Sequence, residues 1–215
     1  MLAGRYPASQ RVLEFYAAIS DFQAGHASRL LLPEALPAVL PELVDLVARI
    51  GPEALREARP GSFDDYLRNP DPAQFHARVL LEVWAAQAEL PPMKAAPNLC
   101  PRCGHPPQAG ALRKFADGSA LSLVCSLCCR EWSFRRTECP SCGEDGQDRI
   151  SFYSAPGFDH ISTQVCESCR TYLHIIDCAR DPHAVPEADE IAALPLDIWA
   201  IENDYQKLFP NLIGL

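Results

Sequence analysis

Four C-x2-C pairs constrain this chain more than any other feature of its sequence. They are Cys100/Cys103, Cys125/Cys128, Cys139/Cys142 and Cys166/Cys169, spaced C-x2-C-x21-C-x2-C and, ten residues later, C-x2-C-x23-C-x2-C. The pattern repeats. CPRCG at 100 is answered by CPSCG at 139, and CSLC at 125 by CESC at 166. An aromatic, Trp132 or Tyr172, follows each second pair and opens a short β-like run. The two halves read as one module used twice. Two intervening residues let a tight turn aim both sulfurs at one ion while backbone N–H groups bond the thiolates. Two such turns, brought together by a hairpin of about twenty residues, complete a tetrahedral four-sulfur shell. Gly104 and Gly143, each directly after a pair, permit the left-handed backbone that closes the turn. Four thiolates suit zinc or iron and exclude magnesium and calcium. Each half is too small to fold on a core of its own, so a metal would supply folding free energy. The repeat favours one site from the first and second pairs and another from the third and fourth. A crossed set, first with third and second with fourth, is the rival arrangement.

The surroundings of the cysteines decide between metal and disulfide. All ten cysteines fall between Cys100 and Cys178. The N-terminal stretch MLAGRYPASQRVLEFYAAIS has no uninterrupted apolar core and no A-x-A-like cleavage site, so secretion is not expected. Charges or prolines break every apolar run well before the ~20 residues a membrane helix needs. A cytoplasmic protein without membrane insertion is the expectation, and there clustered cysteines read as metal thiolates. A thioredoxin-like dithiol needs C-x-x-C at a helix start in a βαβ setting, whereas these pairs sit in β-hairpin surroundings. Cys129 and Cys178 lie outside the repeat and read as small buried thiols. His105, His160 and His174 are candidate ligands only where a sulfur is displaced.

Texture divides the chain into an α-helical domain (1–98), two metal modules (99–137 and 138–180) and an acidic C-terminal segment (181–215). Val12, Leu13, Phe15, Tyr16, Ile19 and Phe22 recur at helical spacing behind Ser9 as a candidate cap. A second helix is expected from Pro37 to Ile50, stopped by Gly51-Pro52, with short pieces at 52–58 and 62–68. The clearest helix spans 72–90, with Phe75, Val79, Leu80, Val83, Trp84 and Leu90 along one side. These apolar residues, and the lone His26 and His76, read as helix packing and not as a ligand site. The proline-rich PPMKAAPN (91–98) is the natural joint. Beyond it, β-like runs are expected at 120–124, 132–135, 150–153, 160–165 and 172–176. A last helix is expected from Leu196 to Leu208.

The formal charge of −9 is uneven. Residues 100–180 carry 9 Lys/Arg against 9 Asp/Glu, and residues 181–215 carry 1 against 7. A phosphate backbone is held by clustered Lys and Arg, so no nucleic-acid partner is expected. No catalytic triad, paired-carboxylate motif or phosphate loop is present, and the chain is not read as an enzyme.

From Cys100 to the C-terminus the sequence resembles the formate dehydrogenase accessory proteins of the FdhE type. The features that carry the resemblance are CPRCGHPP, CSLCCREW (as C-x-x-C-x-x-x-W), CPSCG, CESCRTYLHI and ADEIAALPLDIW. The helical region matches more loosely, through FYAAISDFQAGHA and FHARVLLEVWAAQAEL, and looks shorter than its counterpart in the family. The resemblance implies an α+β chain in which an N-terminal α-helical domain precedes two tandem rubredoxin-like or zinc-ribbon-like metal modules and a C-terminal helix. It implies iron, with zinc as the alternative, at two mononuclear tetrathiolate sites. Cys100, Cys103, Cys125 and Cys128 would hold one ion, and Cys139, Cys142, Cys166 and Cys169 the other. It also implies a cytoplasmic maturation role, in which the molybdenum-containing catalytic subunit of formate dehydrogenase is bound before export. Two rival readings of the same residues are a structural zinc-ribbon module that binds protein or nucleic acid, and a small iron-thiolate electron carrier.

Overall fold

Apolar spacing accounts for most of the helical N-terminal region in the computed structural model, which describes residues 2–58, 60–90, 95–146 and 148–214. The helices are α1 (Leu2–Arg5), α2 (Gln10–Gly25), α3 (Ala27–Leu30), α4 (Leu36–Ile50), α5 (Glu53–Arg56), α6 (Phe63–Arg68) and α7 (Phe75–Gln87). In α4 the buried residues Leu36, Val39, Leu43 and Val47 fall three and four apart, so one stripe faces the core. The helix stops where expected. The Gly51 N–H closes on the Val47 carbonyl at 2.8 Å, and a Cβ at position 51 would stand 2.6 Å from that oxygen. Ser62 caps α6 by accepting from the Asp65 N–H.

Two details differ from the sequence expectation. Ser9 precedes α2 but does not cap it. Its hydroxyl instead donates to the Ala192 carbonyl at 2.7 Å, because Ser9 is buried against a C-terminal helix. The last long N-terminal helix begins at Phe75 and not near Pro72. It also has no exposed face over its first two turns, since Phe75 through Leu81 are all buried. Neighbouring helices cover α7 on one side and the first cysteine module covers it on the other. Residues 91–94 of the proline-rich joint lie outside the described residues.

Among the described residues the cysteine modules contribute six strands and the C-terminal segment a seventh. The first module has β1 (Pro107–Phe115), β2 (Gly118–Cys125) and β3 (Glu131–Ser133). The second has β4 (Ile150–Tyr153), β5 (Ile161–Cys166) and β6 (Thr171–Asp177), and β7 (Gln206–Lys207) follows near the C-terminus. The expected β-like runs correspond to β2 through β6. Unexpected was β1, the longest strand, whose sequence PQAGALRKF opens with proline and holds glycine and alanine where strands favour branched residues.

That strand joins the two modules. The six main strands form one sheet in the order β3-β2-β1-β6-β5-β4. Hairpin-like antiparallel pairs lie within each module, and a parallel pair, Gly110–Leu112 against Ile175–Asp177, lies between them. Gly110 permits the approach, because a Cβ there would meet Leu121 at 3.0 Å and Ile175 at 3.1 Å. The same edge of β6 also receives β7, parallel, through Thr171 and Tyr172.

The C-terminal segment holds two helices, α8 (Pro186–Ala192) and α9 (Leu194–Glu202), and not one helix running to Leu208. Helix α9 ends early because Asp204 turns left-handed (φ 61) and sends Tyr205–Lys207 back along β6. Helix α8 lies between α2 and the sheet, adding Ile191 and Ala192 to the main core. Among the described residues no helix is long and apolar enough to cross a membrane.

Candidate metal centres

Three of the four C-x2-C pairs sit on tight turns with the same backbone closure. Backbone N–H groups of Gly104 and Gly143 return to the carbonyls of Cys100 and Cys139, both at 2.9 Å, and Arg170 returns to Cys166 at 2.9 Å. Residues after the second cysteine are all left-handed: Gly104 (φ 74), Cys129 (φ 53), Gly143 (φ 74) and Arg170 (φ 59). The turn thus demands this conformation four times, and glycine answers the demand only twice. Side chains at the other two positions carry a backbone cost of roughly 1–2 kcal/mol. Arg170 offsets it by lying 3.8 Å over the Tyr205 ring and pairing with Glu167. Backbone donors reach the sulfurs as the spacing requires, with Leu127 and Cys128 N–H directed at Cys125 Sγ (3.4 and 3.5 Å) and Ser141 N–H at Cys139 Sγ (3.4 Å).

The eight thiols gather into two groups of four, first pair with second and third with fourth. Sulfur separations are 3.6 Å for Cys100–Cys128, 3.3 Å for Cys103–Cys125 and 3.6 Å for Cys103–Cys128. In the second group Cys139–Cys169 and Cys142–Cys166 are both 3.7 Å apart. A disulfide needs about 2.05 Å, and all ten cysteines are free. A tetrahedron with metal–sulfur bonds of about 2.3 Å has edges near 3.8 Å, so both groups fit a single zinc or iron ion. The electrostatics agree, because four adjacent thiolates cannot ionise together without a cation. Hydrogen bonds from Cys103, Cys125 and Cys128 hold the Cys100 thiol down, and Cys100 in turn pushes Cys103 and Cys125 up. In the second group burial pushes Cys139 up to about 12. Burial opposes ionisation of Cys169 too, but the Thr171 hydroxyl and backbone bring it down to about 6. Thr171 Oγ1 lies 3.0 Å from Cys169 Sγ and 3.8 Å from Cys139 Sγ.

The surroundings of the two groups differ. Cys100, Cys125 and Cys128 belong to the main helical core, with Cys103 against its edge. Ser126 and Leu127, inside the second turn of this module, are fully buried. Arg78 of α7 binds that turn directly. Only 2% exposed, its guanidinium donates to the Ser126 carbonyl (3.1 Å), Gln108 Oε1 (2.6 Å), the Pro210 carbonyl (2.8 Å) and Glu82 (3.3 Å). The second group has only a small apolar cluster with Ile150. Cys142 is exposed and Cys169 half-buried, and the turn residues Glu167 and Ser168 replace the buried Ser-Leu of the first module.

The remaining candidates fall away from the sulfurs' focus. Cys178 is a buried core thiol beside Ala109, Ala111, Val124 and Ile176, and burial raises it. Cys129 meets the Glu187 carboxyl and belongs to neither four-thiol group, and burial raises it well above the ordinary thiol value. His26 closes α2, with Nδ1 on the Phe22 carbonyl and Nε2 on Glu42, so it is an end-of-helix hydrogen-bonding residue and not a core one. His76 is buried, as expected. His105 bonds the Cys103 carbonyl through Nδ1 (3.1 Å), and His160 bonds Asp189 (2.9 Å).

His174 belongs to a buried ionic network that sequence reasoning missed. Its Nε2 bonds Asp197 Oδ1 at 2.8 Å and its Nδ1 bonds Thr163 at 3.0 Å. Tyr172 and Lys207 reach the same Asp197 oxygen at 2.8 Å, and Lys207 also pairs with Glu190. Burial alone would raise Asp197, but His174 and Lys207 hold it well below the usual carboxylate range. Burial dominates at Glu190, which is raised. His174, Glu190 and Asp197 converge as metal ligands do, yet the Lys207 ammonium already stands between the two carboxylates as their cation. The network fastens α8, α9 and β7 to the second module. Its one sequence signal is acidic residues among the apolar ones of ADEIAALPLDIW.

Residues 137–213 match the family model described as FdhE, C-terminal domain. The chain is 36% identical over 118 residues to the protein FdhE homolog of Aquifex aeolicus (strain VF5), covering 54% of this chain and 42% of the relative. It is 30% identical over 188 residues to the homolog of Shewanella sp. (strain MR-4), covering 78% and 60%. It thus spans about two-fifths to three-fifths of the length of these relatives. The crystal structure of the FdhE protein from Pseudomonas aeruginosa shares the fold, with a TM-score of 0.65 over 99% of this chain and 95% of that one at 24% identity.

Proposed function

This chain belongs to the FdhE family, and on that premise we propose that it is an accessory factor required for the formation of active formate dehydrogenase. In this reading it is a cytoplasmic protein and not an enzyme, and it binds the molybdenum-containing catalytic subunit through a scaffold held in shape by metal thiolates. The observation that carries the reading is the pair of four-thiol groups on a shared sheet. Cys100, Cys103, Cys125 and Cys128 hold one ion, and Cys139, Cys142, Cys166 and Cys169 the other, with iron as the metal and zinc as its alternative. A bound ion supplies folding free energy to modules too small to fold alone and, where it is iron, a one-electron couple. The chain's own residues do the rest. Backbone N–H groups orient the sulfurs, Arg78 locks the first module to the helices, and the His174–Asp197–Lys207 network locks the C-terminal segment to the second.

Purification under anaerobic conditions, followed by metal analysis and visible absorption, tests the cofactor part. Two iron per chain with ferric tetrathiolate bands are expected. Capture of the formate dehydrogenase catalytic subunit by the tagged full chain tests the partner part. Absence of capture, together with intact formate-dependent respiration in a strain lacking the protein, overturns it.

A further inference from the structure

The repeat makes the two four-thiol groups look interchangeable, but their surroundings do not treat them alike. Leaving ligands must gain solvent and incoming ligands must reach the ion, so lability follows access to the sulfurs and the support behind them. At the first group Cys100 and Cys125 are both 0% exposed. A cleft of about 590 Å³ passes over Cys100 and Arg102, yet Cys100 presents no surface to it. At the second group Cys142 is exposed and borders a separate cleft of about 270 Å³. The walls of this cleft are Pro97, Asn98, Glu138 and Pro140. They are held in place by the Asn98 side-chain N–H on the Pro140 carbonyl (2.9 Å) and by the Trp132 indole on the Pro97 carbonyl (2.9 Å). The Thr171 hydroxyl supports Cys169 and Cys139, and its counterpart in the first module is the exposed Arg130.

We propose that the second group is an exchange centre, at which an external soft ligand displaces Cys142, whereas the first is a permanent structural centre. The proposal rests on the reading that both groups hold metal. The step is a ligand substitution without redox change. A metal–ligand bond forms through the cleft, the metal–Sγ bond of Cys142 breaks, and the leaving thiolate takes a proton from solvent. Thr171 is the positioning residue, because its hydroxyl holds Cys169 and Cys139 while Cys142 departs.

The test uses the zinc-loaded full chain and the chelator 4-(2-pyridylazo)resorcinol, followed by absorbance. Two zinc equivalents should leave in separate phases, the faster by at least roughly tenfold. Cys142→Ser should remove the fast phase and leave both the slow phase and the thermal melting of the helices unchanged. Thr171→Val should accelerate only the fast phase, by roughly tenfold, and Thr171→Ser should restore the original rate. Release of both equivalents at one rate, or a fast phase that survives Cys142→Ser and disappears in Cys103→Ser, overturns the proposal. Binding of fewer than two zinc ions by the unaltered chain instead overturns the two-metal reading on which it rests.

Discussion

The two cysteine modules share a spacing, a turn geometry and a sheet, and differ in what lies behind the turn. Behind the first is the helical core, with Leu127 inserted and Arg78 bonded to the Ser126 carbonyl. Behind the second, Ser168 bonds Glu144 at 2.6 Å near the surface. Duplication supplies two copies of a local solution to binding one ion. Packing then makes one copy part of the foundation and leaves the other at the rim.

The most severe way to break this comparison is to remove one ligand from each module. Cys125→Ser deprives the shared core of its metal, and structural zinc contributes about 10–16 kcal/mol in small metal-folded peptides. Loss of helical circular dichroism as well as metal is expected. Cys166→Ser should lose one metal equivalent while keeping most of the helical signal. Equal collapse of both variants would show that the modules are structurally equivalent.

Arg78→Leu sharpens the comparison from the helical side. It strips the partner from Glu82 and from two carbonyls, and breaking a buried charged pair typically costs about 3–5 kcal/mol. Denaturant unfolding should report that loss. Zinc retention should fall at the first group and stay unchanged at the second.

The same region should make stability depend on pH. Burial raises the Glu82 carboxyl from 4.5 to about 7, against the pull of Arg78. A carboxyl that ionises less readily when folded takes up protons on folding, so its effect favours the folded state at low pH. That advantage fades as pH rises from about 4.5 to about 7. The swing is on the order of 3 kcal/mol. Glu82→Gln should flatten the profile in that window, measured by chemical unfolding across pH. An unchanged slope would place the titration elsewhere.

Cys129 gives the smallest effect and the cleanest contrast with Cys128. Cys129→Gly relieves a left-handed side chain and should stabilise the chain by roughly 1 kcal/mol without altering metal content. Cys129→Ser should likewise keep both equivalents, whereas Cys128→Ser should lose one. Equal metal loss from the two serine variants would reassign the thiols.

Several features are legible in the sequence alone. The run Ile150–Tyr153 is strand β4, and the helix stopped by Gly51-Pro52 is α4. The eight thiols singled out by spacing are the ones the fold gathers into two groups. The strand, the helix stop and each C-x2-C turn are settled within a few residues of chain, by side-chain periodicity, a helix stop or turn closure. Strand β1 was not legible. Its residues are poor strand formers, and it is held by pairing on both sides, with β2 and β6. The early end of α9 also escaped notice, because Lys207 returns to Asp197 and Glu190 only after Asp204 reverses the chain.

The sequence by itself therefore determined what each turn can bind, because the donor atoms and the turn that aims them are neighbours along the chain. Only the tertiary structure decided which group of thiols is buried, where Arg78 finds its acceptors and which acidic residues of the C-terminal segment lie inside. Those outcomes depend on residues as distant as Arg78 and Pro210, 132 positions apart. Burial and ion pairing belong to the neighbours a residue acquires in space, and a repeat in sequence does not specify them.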